Sequence, residues 1–218
     1  MFINKLIHLM KITSVYLMRH GQCQGGQILR GTTDVALSAQ GQALMLDNIA
    51  KLVDKLAMQS QQLNACFSSP RQRCMSVAKQ LNSRYGLAYQ QCDGLAEIDF
   101  GEWDGQPLDE LYQSCQPQLE AYWQDPWANP APNGETMAAF EMRVQTGFEH
   151  IVNQCRGQHI LLLTHGGVIR HLMAQALGVN RASGFYSQLD IPYGAVVNIT
   201  LYQGEDGQMH YRLHWPNG

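Results

Sequence analysis

Along the chain, compact apolar runs of strand length alternate with longer stretches in which apolar positions recur every three or four residues. Val15-Tyr16-Leu17-Met18 and Ile160-Leu161-Leu162-Leu163 are unbroken apolar runs. That is the pattern of strands buried on both faces, as in a parallel sheet. Between them, Ser38 opens a segment in which Met45, Ile49, Leu52, Val53 and Leu56 recur at helical spacing, which predicts an amphipathic helix laid on a sheet. Ala65-Cys66-Phe67 reads as a short strand running into Ser68-Ser69-Pro70. A helix over about 71–85 follows, with a proline near its start, where the fixed φ suits the first turn. Thr136 precedes a helix with Phe140, Val144, Phe148, Ile151 and Val152 on one face. After the second apolar run, a helix over about 167–177 leads to two β-like runs, 195–202 and 209–214. The Gly204-Glu205-Asp206-Gly207 turn joins them as a terminal hairpin.

This alternation predicts an α/β fold: a three-layer α/β/α sandwich around a mostly parallel sheet, with the closing hairpin supplying an antiparallel edge. With 218 residues, 45% of them hydrophobic, one domain spanning 1–218 can bury a full core. Residues 103–133 break the pattern, with Trp103, Tyr112, Tyr122, Trp123 and Trp127 and, between Pro117 and Pro132, four of the eight prolines. The stretch is expected to be part helical and part irregular, an insertion over one face rather than a layer of the core. Its aromatics can equally serve only to pack it down.

Residues 1–11 read as a short N-terminal extension, with Met10 as an alternative start. They lack the sustained apolar core and small-residue cleavage site of a signal peptide, and no apolar run reaches membrane-spanning length. The expectation is a cytoplasmic protein without a membrane partner. A net charge of −3 gives no electrostatic footprint for nucleic acid. Six scattered cysteines, with no Cys-x-x-Cys pair and no metal-like grouping with histidine, predict free thiols in a reducing compartment and no metal site.

The candidate chemistry sits at the strand ends. Arg19-His20-Gly21 and Thr164-His165-Gly166-Gly167 each close an apolar run, and ligands of open α/β sheets collect beyond the carboxyl ends of the strands. Taken alone, a histidine beside an arginine at a strand end is more often a hydrogen-bonded structural residue. The glycines after His165 change the weighting, because they let backbone approach a ligand and the following helix offers free N–H groups to an anion. Arg73, in the first turn of the helix after the second strand, suits a bidentate phosphate contact; a surface ion pair is the plainer reading. Glu97 lies in an apolar, aromatic stretch, Leu95 to Trp103, where desolvation favours a protonated acid able to donate. Its plainer reading is a cap or turn residue.

Leu17-Met18-Arg19-His20-Gly21, Ser68-Ser69-Pro70-Arg71-Gln72-Arg73, Glu97-Ile98-Asp99-Phe100-Gly101-Glu102-Trp103-Asp104-Gly105 and Thr164-His165-Gly166-Gly167-Val168-Ile169-Arg170 resemble, in this order, the four motifs of the histidine phosphatase superfamily, also called phosphoglycerate-mutase-like. The resemblance runs over about 12–200. It implies a phosphohistidine nucleophile at His20, a phosphate pocket of Arg19, Arg73, His165 and Gly166, and a proton donor at Glu97. It also implies phosphoryl transfer without metal or other cofactor, the arginines supplying the positive charge. The chain departs from the family pattern after Gly21, where Gln22-Cys23-Gln24-Gly25-Gly26 replaces the usual Glu-Thr and later asparagine. Cys23 beside the nucleophile is a candidate oxidation point, against the plainer reading of an inert buried thiol.

The loop from Gly25 to Ser38, with Arg30 within it, and the stretches Tyr122-Trp123-Gln124-Asp125-Pro126 and Pro132-Asn133-Gly134-Glu135-Thr136 look like the α-ribazole phosphatase branch. The partner this implies is a small-molecule phosphomonoester, α-ribazole 5′-phosphate, with Arg30, Trp123 and Trp127 as candidate substrate contacts and the tryptophans as stacking faces. A mutase, which resembles the chain in the same catalytic residues, carries a basic substrate-binding insertion. No Lys or Arg occurs between Glu97 and Gly134. A broad-specificity or phosphoprotein phosphatase shares the same pocket, and a silent phospholigand-binding module would have lost one of the four key residues.

Overall fold

The computed structural model describes residues 11–204 and 208–215. Apart from Lys11 and Gly204, the N-terminal extension and the hairpin turn assigned above lie outside those residues. Six strands, β1 (Thr13–Arg19), β2 (Ala65–Ser68), β3 (Tyr89–Gln91), β4 (His159–Thr164), β5 (Val196–Gln203) and β6 (Met209–His214), form one sheet in the order β3-β2-β4-β1-β5-β6. The first four in that order are mutually parallel, and β5 and β6 run antiparallel. The sandwich with an antiparallel edge is the fold expected from the alternation.

The apolar runs work as read, because successive residues on a strand face opposite sides. Val15, Leu17, Ile160 and Leu162 join the core under α3 (Leu108–Gln124), α4 (Met137–Gln154) and α5 (Gly166–Leu177). Tyr16, Met18, Leu161 and Leu163 join a second core under α1 (Ala39–Met58) and α2 (Gln72–Tyr85). Ser38 caps α1 by accepting from the Gly41 N–H, and Thr136 caps α4 by accepting from Ala139. A Cβ on Gly21 would strike the backbone of Gly41, so glycine is what lets the start of α1 press against the end of β1.

Two predictions need correction. The stretch 103–133 is not merely a cover: α3 is a helix kinked at Cys115, just before Pro117, and its Leu111, Leu119 and Tyr122 belong to the same buried core as the strands. Pro70 does not occupy the first turn of α2, which begins at Gln72 after an extended Arg71. Strand β3, the short helix α6 (Ser183–Gln188) and the 3₁₀ turns Asp93–Leu95 and Gly101–Trp103 have no counterpart in the sequence reading.

Register positions the chemistry. Arg19 pairs with Thr164 and Ser68 with Leu163, so the next residues, His20, His165 and Ser69, emerge side by side from three adjacent parallel strands. Backbone bonds continue one step past the strands, from His20 N to Thr164 O at 3.0 Å and from Ser69 N to Leu163 O at 2.9 Å. Among the described residues, no helix is long and apolar enough to cross a membrane.

Candidate active site

The two histidines meet edge to face, with ring centroids 5.2 Å apart, and both are buried. His20 Nδ1 lies 2.8 Å from the Gly21 carbonyl. A carbonyl only accepts, so Nδ1 carries the proton and Nε2 keeps its lone pair. Burial, and then the positive charge of Arg73, pull the His20 pKa down to about 3. The ring is therefore neutral at physiological pH. Cys23 Sγ is 3.6 Å from the same Nδ1; burial pushes its thiol pKa up, which keeps the thiolate scarce.

His165 has partners at both nitrogens. Arg73 Nε donates to Nδ1 at 3.2 Å, and Nε2 lies 2.7 Å from Ser69 Oγ. An arginine can only donate, so the neutral ring carries its proton on Nε2. Burial and Arg73 hold the His165 pKa well below the usual value. Arg73 is fully buried at the start of α2. One N–H of Nη1 goes to the Thr33 carbonyl and one of Nη2 to that of Gly31, both at 2.9 Å, which ties the loop after Arg30 to the histidine pair. The same loop is gripped from the other side by Asp104, whose carboxylate accepts from the amides of Gly31, Thr32 and Thr33 at 3.1, 2.7 and 2.8 Å.

Arg19 donates to the Ile191 carbonyl, and its Cζ lies 4.3 Å from the centre of the Tyr193 ring. Its Nε is buried without a partner. Tyr193 also stands against His20, with ring centroids 5.7 Å apart. Arg30 turns onto its own loop, donating to the carbonyls of Ile28, Gln24 and Gly26, with its Nε left buried and unpaired. Burial, Arg73, Arg19 and Arg30 all disfavour a positive charge on His20. This crevice is built to receive an anion.

Glu97 reaches the same place from the loop after β3. Its Oε2 accepts from the Gly167 amide at 3.1 Å, at the first turn of α5, and its Oε1 from Ile98 at 3.2 Å. A Cβ on Gly167 would run into that carboxylate, so the second glycine of the pair is what allows the approach. Behind Glu97 lies a cavity of about 80 Å³ walled by Phe100, Tyr122, Trp123, Phe140, Tyr186 and Arg170, among others. It shares Trp123 and Ser187 with a surface groove of about 460 Å³ between α3 and α6.

The structure thus brings together Arg19, His20, Arg73, Glu97, His165 and Gly166, and places Trp123 in the adjoining cavity. Trp127 is not brought there: its Nε1 donates to Glu141 at 3.1 Å and its ring packs edge-on to Tyr186, 5.2 Å between centroids. Sequence reasoning gave no role to Ser69, Arg170 or Tyr193. Ser69 and Arg170 sit inside quoted motifs, but Tyr193 arrives from a segment with no motif and only the fold brings it in.

The family profile described as histidine phosphatase superfamily (branch 1) matches residues 15–212. The chain is 27% identical over 188 residues to the adenosylcobalamin/alpha-ribazole phosphatase of Escherichia coli, covering 85% of this chain and 89% of that protein. It is 25% identical over 171 residues to putative phosphoserine phosphatase 2 of Hydrogenobacter thermophilus, covering 76% and 79%. Among solved structures, Bacillus stearothermophilus YhfR is similar with a TM-score of 0.79 and 24% identity, covering 92% of this chain and 96% of that one. A putative alpha-ribazole-5′-P phosphatase from Escherichia coli is similar with a TM-score of 0.75 and 21% identity, covering 94% and 96%.

Proposed function

The chain belongs to the histidine phosphatase superfamily and is a phosphatase, and we propose that it cleaves phosphomonoesters through a covalent phosphohistidine formed on His20. The observation that carries this reading is the pairing of His20 Nδ1 with the Gly21 carbonyl, which leaves Nε2 unprotonated and free to attack in a crevice lined by arginines. In the first step Nε2 bonds to phosphorus as the ester P–O bond breaks, and Glu97 gives a proton to the departing alkoxide. In the second step Glu97 takes a proton from water as that water attacks phosphorus and the P–N bond breaks, returning His20 neutral. Arg19 and Arg73 hold the equatorial oxygens, where the charge of the transition state lies. His165 orients the Arg73 fork through Nδ1, while its Nε2–H is held by Ser69 Oγ.

The substrate we propose is α-ribazole 5′-phosphate. The aromatic walls of the cavity behind Glu97 support a flat, apolar leaving group there. So does the likeness to the Escherichia coli enzyme so named. Incubation with α-ribazole 5′-phosphate and acid-free trapping should label His20 with an acid-labile phosphoryl group, and His20→Ala should lose both label and turnover. Normal turnover by that variant would sink the mechanism. A flat kcat/KM across α-ribazole, sugar, nucleotide and glycerate phosphates would leave a broad-specificity phosphatase in place of the specific one.

A further inference from the structure

Among the described residues, Arg170 is the one cation lining the cavity behind Glu97, whose other walls are largely apolar and aromatic. Its Nε donates to the Leu189 carbonyl at 2.9 Å, so that bond takes up Nε and neither Nη group. An ideal Cβ on Gly166 would lie 3.3 Å from Arg170 Nη1 and 3.5 Å from Arg19 Nε, so the two guanidinium groups flank the first residue of α5 within about 7 Å of each other. Arg19 Nε is itself buried and unpaired. Burial and the nearby Arg19 both work against the charge on Arg170, and Glu97 and Asp190 only partly offset them. Two like-charged guanidinium groups beside a helix start are a costly arrangement; the phosphoryl group answers the charge of Arg19, and Arg170 needs an acceptor of its own.

The position decides what that acceptor belongs to. Arg19 borders the phosphate crevice and Glu97 marks the ester oxygen, so anything reaching Arg170 lies on the leaving-group side of the scissile bond. We infer that Arg170 forms a subsite for a paired-oxygen acceptor on the leaving group, beside the crevice in which Arg19 serves the phosphoryl group. The inference rests on the phosphatase reading above and adds to it a requirement on the substrate. The guanidinium fork presents two parallel N–H donors, which match a carboxylate or the neighbouring oxygens of a sugar diol and do not match a hydrocarbon or an ammonium group. The proposed ribose-bearing substrate meets this requirement through its hydroxyls, and a phosphorylated hydroxy acid meets it through its carboxylate.

The test uses two substrate pairs that differ only in the acceptor. O-phosphoserine against phosphoethanolamine isolates a carboxylate, and ribose 5-phosphate against 2-deoxyribose 5-phosphate isolates one hydroxyl of the diol. The wild-type protein should prefer the acceptor-bearing member of at least one pair by about tenfold or more in kcat/KM, the size of a lost charge-assisted hydrogen bond. Arg170→Met should collapse that ratio towards one, and Arg170→Lys, which keeps the charge without the fork, should recover only part of it. Because the readout is a ratio, a general loss of activity or of folded protein in either variant does not imitate the result. The pair that responds identifies the source, carboxylate or sugar. An active wild-type enzyme with ratios near one, or an Arg170→Met variant that keeps its preference, overturns the subsite alone. A wild-type protein inert on all four and on phenyl phosphate overturns the phosphatase reading and the subsite with it.

Discussion

Gly167 shows how much of this site rests on a missing side chain. Its amide holds Glu97 Oε2, and no Cβ fits between them. Gly167→Ala adds a better helix former to α5, worth about 0.4–1 kcal/mol in its favour, while pushing the carboxylate off its amide. Thermal stability should therefore stay within about 1 kcal/mol of the parent, as turnover of alkyl phosphates falls at least tenfold. Phenyl phosphate, with its better leaving group, should lose less. Equal losses on both would argue that Glu97 does not protonate the leaving oxygen. At this scale the sequence was readable wherever a residue's place follows from a strand end: His20, His165 and Gly166, which the fold brings to one crevice. The places of Ser69, Arg170 and Tyr193 beside that crevice arise only from convergence. A serine 96 positions away from His165 meets it at 2.7 Å, and no local pattern encodes that meeting.

Among the elements, the segment from Arg30 to Asp34 is decisive, because it is irregular yet held on both sides. Arg73 draws on its carbonyls and Asp104, the residue closing the 3₁₀ turn Gly101–Trp103, draws on its amides. Burial alone would raise the Asp104 pKa, but hydrogen bonds from the side chain and backbone of Thr33 and from the backbone of Thr32 and Phe100 outweigh it and hold the carboxyl below the usual carboxylate range. A carboxyl depressed in the folded state stabilises above the unfolded value, about 3.9, and that contribution fades as pH falls through the lower folded value. Asp104→Asn places an amide donor against backbone donors, so it should cost about 1–3 kcal/mol at neutral pH and lower kcat/KM by loosening the carbonyls that aim Arg73. The stability gap between variant and parent should narrow towards pH 3. A gap independent of pH would show that the charge is not what grips the loop. The elements that pattern reading found are those with long apolar periodicity or a side-chain cap, such as α1 behind Ser38 and α4 behind Thr136. Strand β3 escaped because Tyr89-Gln90-Gln91 is a short, largely exposed edge with no apolar run. Helix α3 was blurred by Pro117, which the chain accommodates by leaving helical geometry at Cys115, φ −142 and ψ 33.

For the molecule as a whole, housing an anion crevice at the end of a buried sheet means that folding removes several imidazoles from water in their neutral form. His20 and His171 are pulled to about 3 and about 4, chiefly by burial, and His165 well below its usual value by burial and Arg73. His171 lies away from the crevice, between Phe140 and Tyr186, with its Nδ1 3.0 Å from the Tyr186 hydroxyl. In the unfolded chain each ring titrates near 6.5. Between that value and the lower folded one the unfolded state binds more protons, so stability rises with pH across this window and is lost on acidification. One such ring costs about 2 kcal/mol between neutral pH and about pH 5. The thermal midpoint should therefore fall clearly between pH 7 and pH 5, well above the range in which carboxylates protonate. His171→Gln removes one buried imidazole without touching the crevice, and His20→Gln removes one within it. Each should flatten the fall by a similar amount, and the double variant by about their sum, since the two sites share no partner. If neither substitution changes the slope, the neutral burial of these rings is not what sets the acid limit of the fold.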